Sequence, residues 1–319
     1  MTTSESPARS TTWLRRFRPA ADAAVSLVCL PHAGGSASFF FPVSRALAPA
    51  IDVLAVQYPG RQDRRHEPNI DNLPELADRI VDALTHMVDR PFALFGHSMG
   101  AMLAYEIALR LAAAGLPAPT RVFLSGRRAP SRHRDDRVHL MSDGEILAQI
   151  RRLNGTDLMA LDDPDIRDMI LPVVRNDYRA VETYRHDPSR VLDCPVTVLT
   201  GDRDPLVTVD EARAWEEHTT GPTDLLVLPG GHFYLVEQSE RVLDVIRRRL
   251  SASGGRRPRH PPPPVAGSDL RRILGPLVAA ELMHSGGPAY RAHRSRSAAP
   301  VSRSAQSPRR RRPCRRLSP

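Results

Sequence analysis

Short apolar runs alternate with amphipathic stretches along the first 250 residues. The runs fall near 25–30, 51–57, 92–96, 121–125, 195–200 and 224–229, several of them bounded by Gly, Pro or Asp. Runs this short and this apolar read as strands buried on both faces. Between them, near 38–48, 73–88, 100–114, 208–218 and 237–250, apolar residues recur at the spacing of a helix with one buried face. Alternating strands and helices predict an α/β fold with a mostly parallel sheet and helices on both faces. From Ser131 to Asp193 the rhythm breaks. No strand-like run occurs there, and helical patterns lie near Asp143–Leu153, Asp165–Val174 and Asn176–Tyr184. This interval predicts a helical insertion between the fourth and fifth of those strands, placed to act as a lid.

Chemistry-bearing residues sit where the runs end. Phe92-Ala93-Leu94-Phe95 leads into Gly96-His97-Ser98-Met99-Gly100 and then into an Ala/Leu-rich helical stretch. A serine between strand and helix reads as a nucleophile on a sharp turn, with glycines where side chains would crowd the neighbouring backbone. A serine nucleophile needs a base, and the base an orienting acid. The fifth run is followed by Gly201-Asp202-Arg203-Asp204-Pro205, which offers two acids. The sixth is followed by Pro229-Gly230-Gly231-His232-Phe233. Each residue also has a plainer reading: a tight turn at Ser98, turn chemistry at either Asp, packing at a histidine, as expected for His97. Turn chemistry alone does not predict all three at strand ends in the chain order Ser, Asp, His.

After the first run the chain turns through Pro31-His32-Ala33-Gly34-Gly35-Ser36. This segment occupies the place of the His-Gly-Gly loop of esterases and lipases, whose backbone N–H faces the oxyanion. By that analogy the Ala33 N–H pairs with the Met99 N–H; the plainer alternative is a Gly-rich turn. A phosphate-binding loop does not fit, because there is no GxxxxGK pattern and the chain contains no lysine.

Taken together, these segments resemble the type II thioesterases, discrete α/β-hydrolases that serve polyketide synthases and nonribosomal peptide synthetases. The matching stretches are 30–35, Gln57-Tyr58-Pro59-Gly60-Arg61, 96–100, Ser125-Gly126-Arg127-Arg128-Ala129-Pro130, 201–205 and 230–233, within roughly residues 13–250. The resemblance implies Ser98, Asp204 and His232 as catalytic, with Asp202 left to shape its turn, and the Ala33 and Met99 amides as the oxyanion hole. It also implies hydrolysis of acyl groups from the phosphopantetheine thiol of an acyl or peptidyl carrier protein. No cofactor of the enzyme's own is then needed, and the substrate carries the phosphopantetheine. Medium-chain fatty-acyl thioesterases share these motifs, and the triad alone fits a carboxylesterase. A noncatalytic binding protein on a hydrolase scaffold is a third reading.

The insertion, about 131–193, supplies candidate acyl-pocket residues: Leu147, Ile150, Leu158, Met159, Met169, Ile170, Leu171 and Tyr178. For each one, packing of the lid onto the core is the competing reading. Arg127, Arg128, Arg132 and Arg134 cluster at its start, either to meet an acidic carrier or pantetheine phosphate, or as a solvated basic face.

Composition changes the picture mainly at the end of the chain. Residues 251–319 hold 15 Arg against Asp269 and Glu281, so their +13 within a chain total of +9 leaves residues 1–250 at −4. With Pro261 to Pro264 and Arg309 to Arg312, this stretch is expected to be a disordered tail dispensable for catalysis. It has Tyr290 as its one aromatic residue, so no specific nucleic-acid platform is expected. Residues 1–12 read as a flexible terminus without an apolar signal segment. No run is long enough for a membrane span. The cysteines, Cys29, Cys194 and Cys314, lie too far apart for a metal or disulfide framework. A cytoplasmic protein with reduced thiols is expected, with a monomer as its simplest state.

Overall fold

The apolar runs become strands within a residue or two of where the pattern places them. A computed structural model describes residues 12–154 and 162–253. Its strands are β1 (Leu14–Arg15), β2 (Ser26–Leu30), β3 (Asp52–Val56), β4 (Phe92–His97), β5 (Val122–Ser125), β6 (Val196–Gly201) and β7 (Thr223–Leu228). They form one sheet in the order β1-β3-β2-β4-β5-β6-β7. Neighbours from β3 through β7 pair in parallel, and β1 pairs antiparallel with β3 at one edge. The pattern does not predict β1, because two residues show no periodicity.

Eight helices accompany the sheet among the described residues: α1 (Phe41–Leu47), α2 (Leu73–Met87), α3 (Met99–Ala113), α4 (Asp143–Asn154), α5 (Pro164–Thr183), α6 (Val209–Arg213), α7 (Tyr234–Glu237) and α8 (Ser239–Ser253). Alternate residues of the central strands face opposite layers, as a pleated strand requires. Val28, Leu30 and Leu94 join Ile80 of α2, Leu103 of α3 and Ala212 of α6 in one core. Leu27, Cys29 and Phe95 join Leu47 of α1 and Ile246 of α8 in the other. The sheet is therefore covered on both faces, as the alternation predicts.

The insertion departs from expectation in one respect. The two patterns read on either side of Arg175 belong to a single helix, α5, which also accommodates Pro172. The polar triplet Arg175-Asn176-Asp177 interrupts the apolar pattern but not the helix, because each side chain finds a partner. Arg175 donates to the His139 and Met141 carbonyls at 2.8 and 2.6 Å and to Asp143 at 2.6 Å. Asn176 donates to the Ile70 carbonyl at 2.8 Å, and Asp177 binds Arg61. No described helix is long and apolar enough to cross a membrane. The expectations for residues 1–11 and 254–319, and for Leu158 and Met159, lie outside the described residues.

Candidate active site

Strand β4 delivers Ser98 to the end of the sheet in a conformation that L-residues avoid, φ 56° and ψ −114°. Such a conformation costs on the order of 1–3 kcal/mol and persists only when its surroundings impose it. Here the Ser98 N–H donates to the Ser125 carbonyl of β5 at 2.8 Å, and the Ala101 N–H donates to the Ser98 carbonyl at 3.0 Å. The flanking glycines are sterically required. A Cβ on Gly96 would lie 2.0 Å from the Gly100 carbonyl oxygen, and one on Gly100 would lie 2.0 Å from that of Leu30. Ser98 is 9% exposed, so its hydroxyl sits in a nearly closed site.

The acid and the histidine come from the ends of β6 and β7. Asp204 accepts the Leu206 N–H at 2.8 Å through one oxygen. Its other oxygen lies 2.8 Å from His232 Nδ1. A carboxylate at Nδ1 makes that nitrogen the protonated one and leaves the Nε2 lone pair free. Both side chains are fully or almost fully buried. Asp202, the other acid of the loop, accepts the Gly230 N–H at 2.8 Å and so shapes the histidine loop. Gly230 has φ 138°, and a Cβ there would press on Tyr234 at 2.8 Å. Among the described residues no hydrogen bond joins Ser98 to His232. The histidine ring stands beside the serine turn, with its centroid 5.0 Å from that of His97. Catalytic hydrogen bonds often tighten only once substrate is bound.

His97 is wholly buried, with Nδ1 3.0 Å from Ser125 Oγ, which in turn lies 2.6 Å from the Tyr234 hydroxyl. Burial first, and then the charges of His232 and His32, push its pKa well below 6.5. Burial likewise pushes His32 down to about 3, helped by His232 and Arg61. His32 packs edge-to-face on Phe39 and Phe233, both at 4.8 Å between centroids. The packing role expected of His97 is what the structure shows, with a hydrogen-bonded string behind it that sequence reasoning missed.

The Ala33 and Met99 N–H groups donate to no partner among the described residues. Met99 opens α3, where a first-turn N–H has no carbonyl within the helix. Around them lies an ion pair that the sequence did not single out. Arg61 donates to both oxygens of Asp177 at 2.8 and 2.7 Å, and the Gly34 N–H donates to the same carboxylate at 2.8 Å. Burial pushes the Asp177 carboxyl up, opposed chiefly by Arg61.

Of the expected pocket residues, Leu147, Ile170 and Leu171 pack with Ile146, Ile166 and Val174 into a small core within the insertion, and Ile150 and Tyr178 pack against it. Met169 is half-buried outside that cluster, and Met159 lies outside the described residues. Packing within the insertion accounts for most of these side chains. A small apolar cavity of about 30 Å³ lies elsewhere, between Phe39, Phe40 and Phe95 and residues 235–246. Arg128, Arg132 and Arg134 pair with Asp136, Glu217 and Glu211 of the chain itself. Arg127 has no ion pair among the described residues, and burial pushes its guanidinium down to about 10. Cys29 and Cys194 are free and buried. No described cluster of His, Cys, Asp or Glu has the arrangement to hold a metal ion.

The thioesterase domain family matches residues 25–250 of the chain. "Probable cadicidin biosynthesis thioesterase" of Streptomyces griseus is 52% identical over 238 residues, covering 75% of this chain and 66% of that protein, just under two thirds of its length. "Thioesterase PikA5" of Streptomyces venezuelae is 48% identical over 244 residues, covering 76% of this chain and 87% of its own. Among solved structures, the type II thioesterase BorB from the borrelidin biosynthetic cluster superposes with a TM-score of 0.71 at 52% identity. That match covers 75% of this chain and 98% of BorB.

Proposed function

The chain belongs to the thioesterase domain family, and from that premise we propose that it is a type II thioesterase hydrolysing acyl groups from the phosphopantetheine thiol of carrier proteins. The observation that carries this reading is the Asp204–His232 hydrogen bond at 2.8 Å beside the strained Ser98 turn, in a chain half identical to PikA5 and BorB. His232, oriented by Asp204, takes the Ser98 proton as Oγ attacks the thioester carbonyl. The Ala33 and Met99 N–H groups receive the oxyanion, each donor worth on the order of 3 kcal/mol. His232 returns the proton to the departing pantetheine sulfur. Water, deprotonated by the same imidazole, then releases the acid from acyl-Ser98. The site needs no cofactor of its own, because the substrate brings the phosphopantetheine.

The test compares turnover of acyl-carrier protein, acyl-CoA, a short acyl-pantetheine thiol mimic and a p-nitrophenyl ester, with intact-mass detection of the acyl-enzyme. The expected outcome is preference for the carrier-bound thioester and a mass increment located on Ser98. Ser98→Ala is expected to lower turnover by several powers of ten while circular dichroism and melting stay unchanged. Preference for the oxoester would instead favour a carboxylesterase. Retained turnover in purified Ser98→Ala would remove the serine assignment.

A further inference from the structure

We propose that Asp177, on the insertion helix α5, is a positioning residue that sets the oxyanion loop, so that docking of this helix and completion of the oxyanion hole are one event. The inference rests on the proposed roles of Ser98 and of the Ala33 and Met99 amides. It adds a residue 143 positions from Gly34 in the chain.

The argument begins with a four-residue turn. The Gly35 N–H donates to the His32 carbonyl at 2.9 Å, closing His32-Ala33-Gly34-Gly35. Gly34 has φ +78°, the value that the third position of a type II turn demands and that only glycine takes without strain. The central peptide of such a turn, the Ala33 carbonyl and Gly34 N–H, distinguishes type II from type I by its orientation. Asp177 accepts that very N–H at 2.8 Å. The preceding peptide, which carries the Ala33 N–H, is fixed at its other end by the His32 carbonyl bond. The carboxylate on α5 thereby holds the central peptide in its type II orientation and anchors in place the turn that carries the Ala33 N–H.

The rest of the contact is built for that purpose. A Cβ on Gly34 would lie 2.8 Å from Val174 Cγ2, one helical turn before Asp177. Val174 thus closes on the glycine from the face where Asp177 takes its N–H. Asp177 is 1% exposed, and a lone buried carboxylate would be expensive. Arg61 compensates it through both oxygens and is itself held, because its carbonyl accepts Gln57 Nε2 at 3.2 Å. Gln57 Oε1 accepts the Ala37 N–H at 2.9 Å, just past the same loop. The Arg61 guanidinium also lies 5.0 Å from the centroid of Tyr58, whose hydroxyl donates to the Pro31 carbonyl at 3.0 Å. Every link ends on residues 31–37.

The experiment uses the full-length enzyme and two variants, Asp177→Ala and the double variant Arg61→Met/Asp177→Leu. Replacing a buried ion pair by apolar side chains is often neutral for stability. The double variant therefore keeps a folded protein while removing the acceptor for Gly34. Four quantities are read: kcat, KM, affinity for a trifluoromethyl ketone that forms a tetrahedral oxyanion on Ser98, and affinity for a nonreactive thioether of the same chain length. The expected result is a fall in kcat and in ketone affinity of roughly 10- to 100-fold, less than outright loss of an oxyanion donor. KM and thioether affinity should change by less than about threefold. Unchanged kcat and ketone affinity in a folded variant would overturn the proposal. So would a proportionate loss of thioether affinity, which would make Asp177 a pocket residue only. Ser98→Ala run in parallel separates this outcome from failure of the serine assignment itself.

Discussion

In the proposed mechanism His232 gains a proton during turnover, which a neighbouring cation would oppose, and the histidines packed near it stay neutral. His97 lies 5.0 Å away, ring to ring, and burial keeps it neutral well below pH 6.5. His32 is neutral down to about pH 3 and, in the other layer of aromatic packing, His218 down to about pH 4, with burial the leading cause for both. These shifts fix the sign of a pH effect on stability. The unfolded chain protonates such histidines near 6.5, whereas the folded chain resists, so the unfolded state binds more protons as pH falls. The stability they contribute is complete above about pH 6.5 and is lost progressively below it. Asp177, with its carboxyl pushed up, works in the opposite sense, one group against three. The urea midpoint should therefore fall between pH 7.5 and 5, and His218→Gln should flatten that slope; a midpoint independent of pH would contradict the assignment. The strand-end positions of Ser98, Asp204 and His232 were legible in the sequence because each follows an apolar run, and the choice of Asp204 over Asp202 came from the family resemblance. Asp177 left a fainter signal, a carboxylate on the buried stripe of Ile170, Val173, Val174 and Val181. Its partners Arg61 and Gly34 lie in stretches that the sequence pattern picks out, but they are far away in the chain, and no local pattern shows that they meet Asp177.

At the scale of elements, strands were legible because a strand buried on both faces is apolar along most of its length: all five residues of β2 and of β3 are buried, and only the first of each, Ser26 and Asp52, is polar. The splitting of α5 failed for the converse reason: helix continuity at Arg175-Asn176-Asp177 depends on tertiary partners that periodicity does not report. Helix starts obey local chemistry and can be tested one at a time. Asn72 caps α2 by accepting the Glu75 N–H at 2.9 Å, with Pro74 in the first turn. The residues just before this cap reach α5, where the Ile70 carbonyl accepts from Asn176 and Asp71 pairs with Arg179, but the Asn72 cap bond itself is local to α2. Asn72→Ala should cost about 1 kcal/mol of unfolding free energy. Because the Asn72 side chain caps only its own helix, kcat should stay within about twofold of the parent. A loss of activity larger than the loss of stability would mean that the start of α2 reaches the site through the Ile70 and Asp71 contacts to α5.

For the molecule as a whole, the question is which part of 319 residues performs the chemistry. Family membership extends over residues 25–250, and BorB, matched over 98% of its length, accounts for 75% of this chain. Every residue assigned a role in catalysis or positioning lies between Ala33 and His232. The last described helix, α8, packs Val242, Leu243, Ile246 and Leu250 into the core beneath β2 and β4, so the sheet is already covered by residue 250. Residues 251–319 are of a different charge character. They supply +13 of net charge, whereas residues 1–250 carry −4. Such a segment acts on a charged partner through long-range attraction, which raises association rates at low salt and is screened within about 8 Å at physiological ionic strength. Chemistry on a bound acyl chain does not depend on that attraction. Truncation after Ser253 should therefore leave kcat unchanged within about twofold on both acyl-carrier and small thioester substrates. Any effect should be confined to KM for an acidic carrier, and it should vanish between 20 and about 300 mM salt. A tenfold fall in kcat on the small thioester, where no carrier is present to be attracted, would place the C-terminal segment in the catalytic unit.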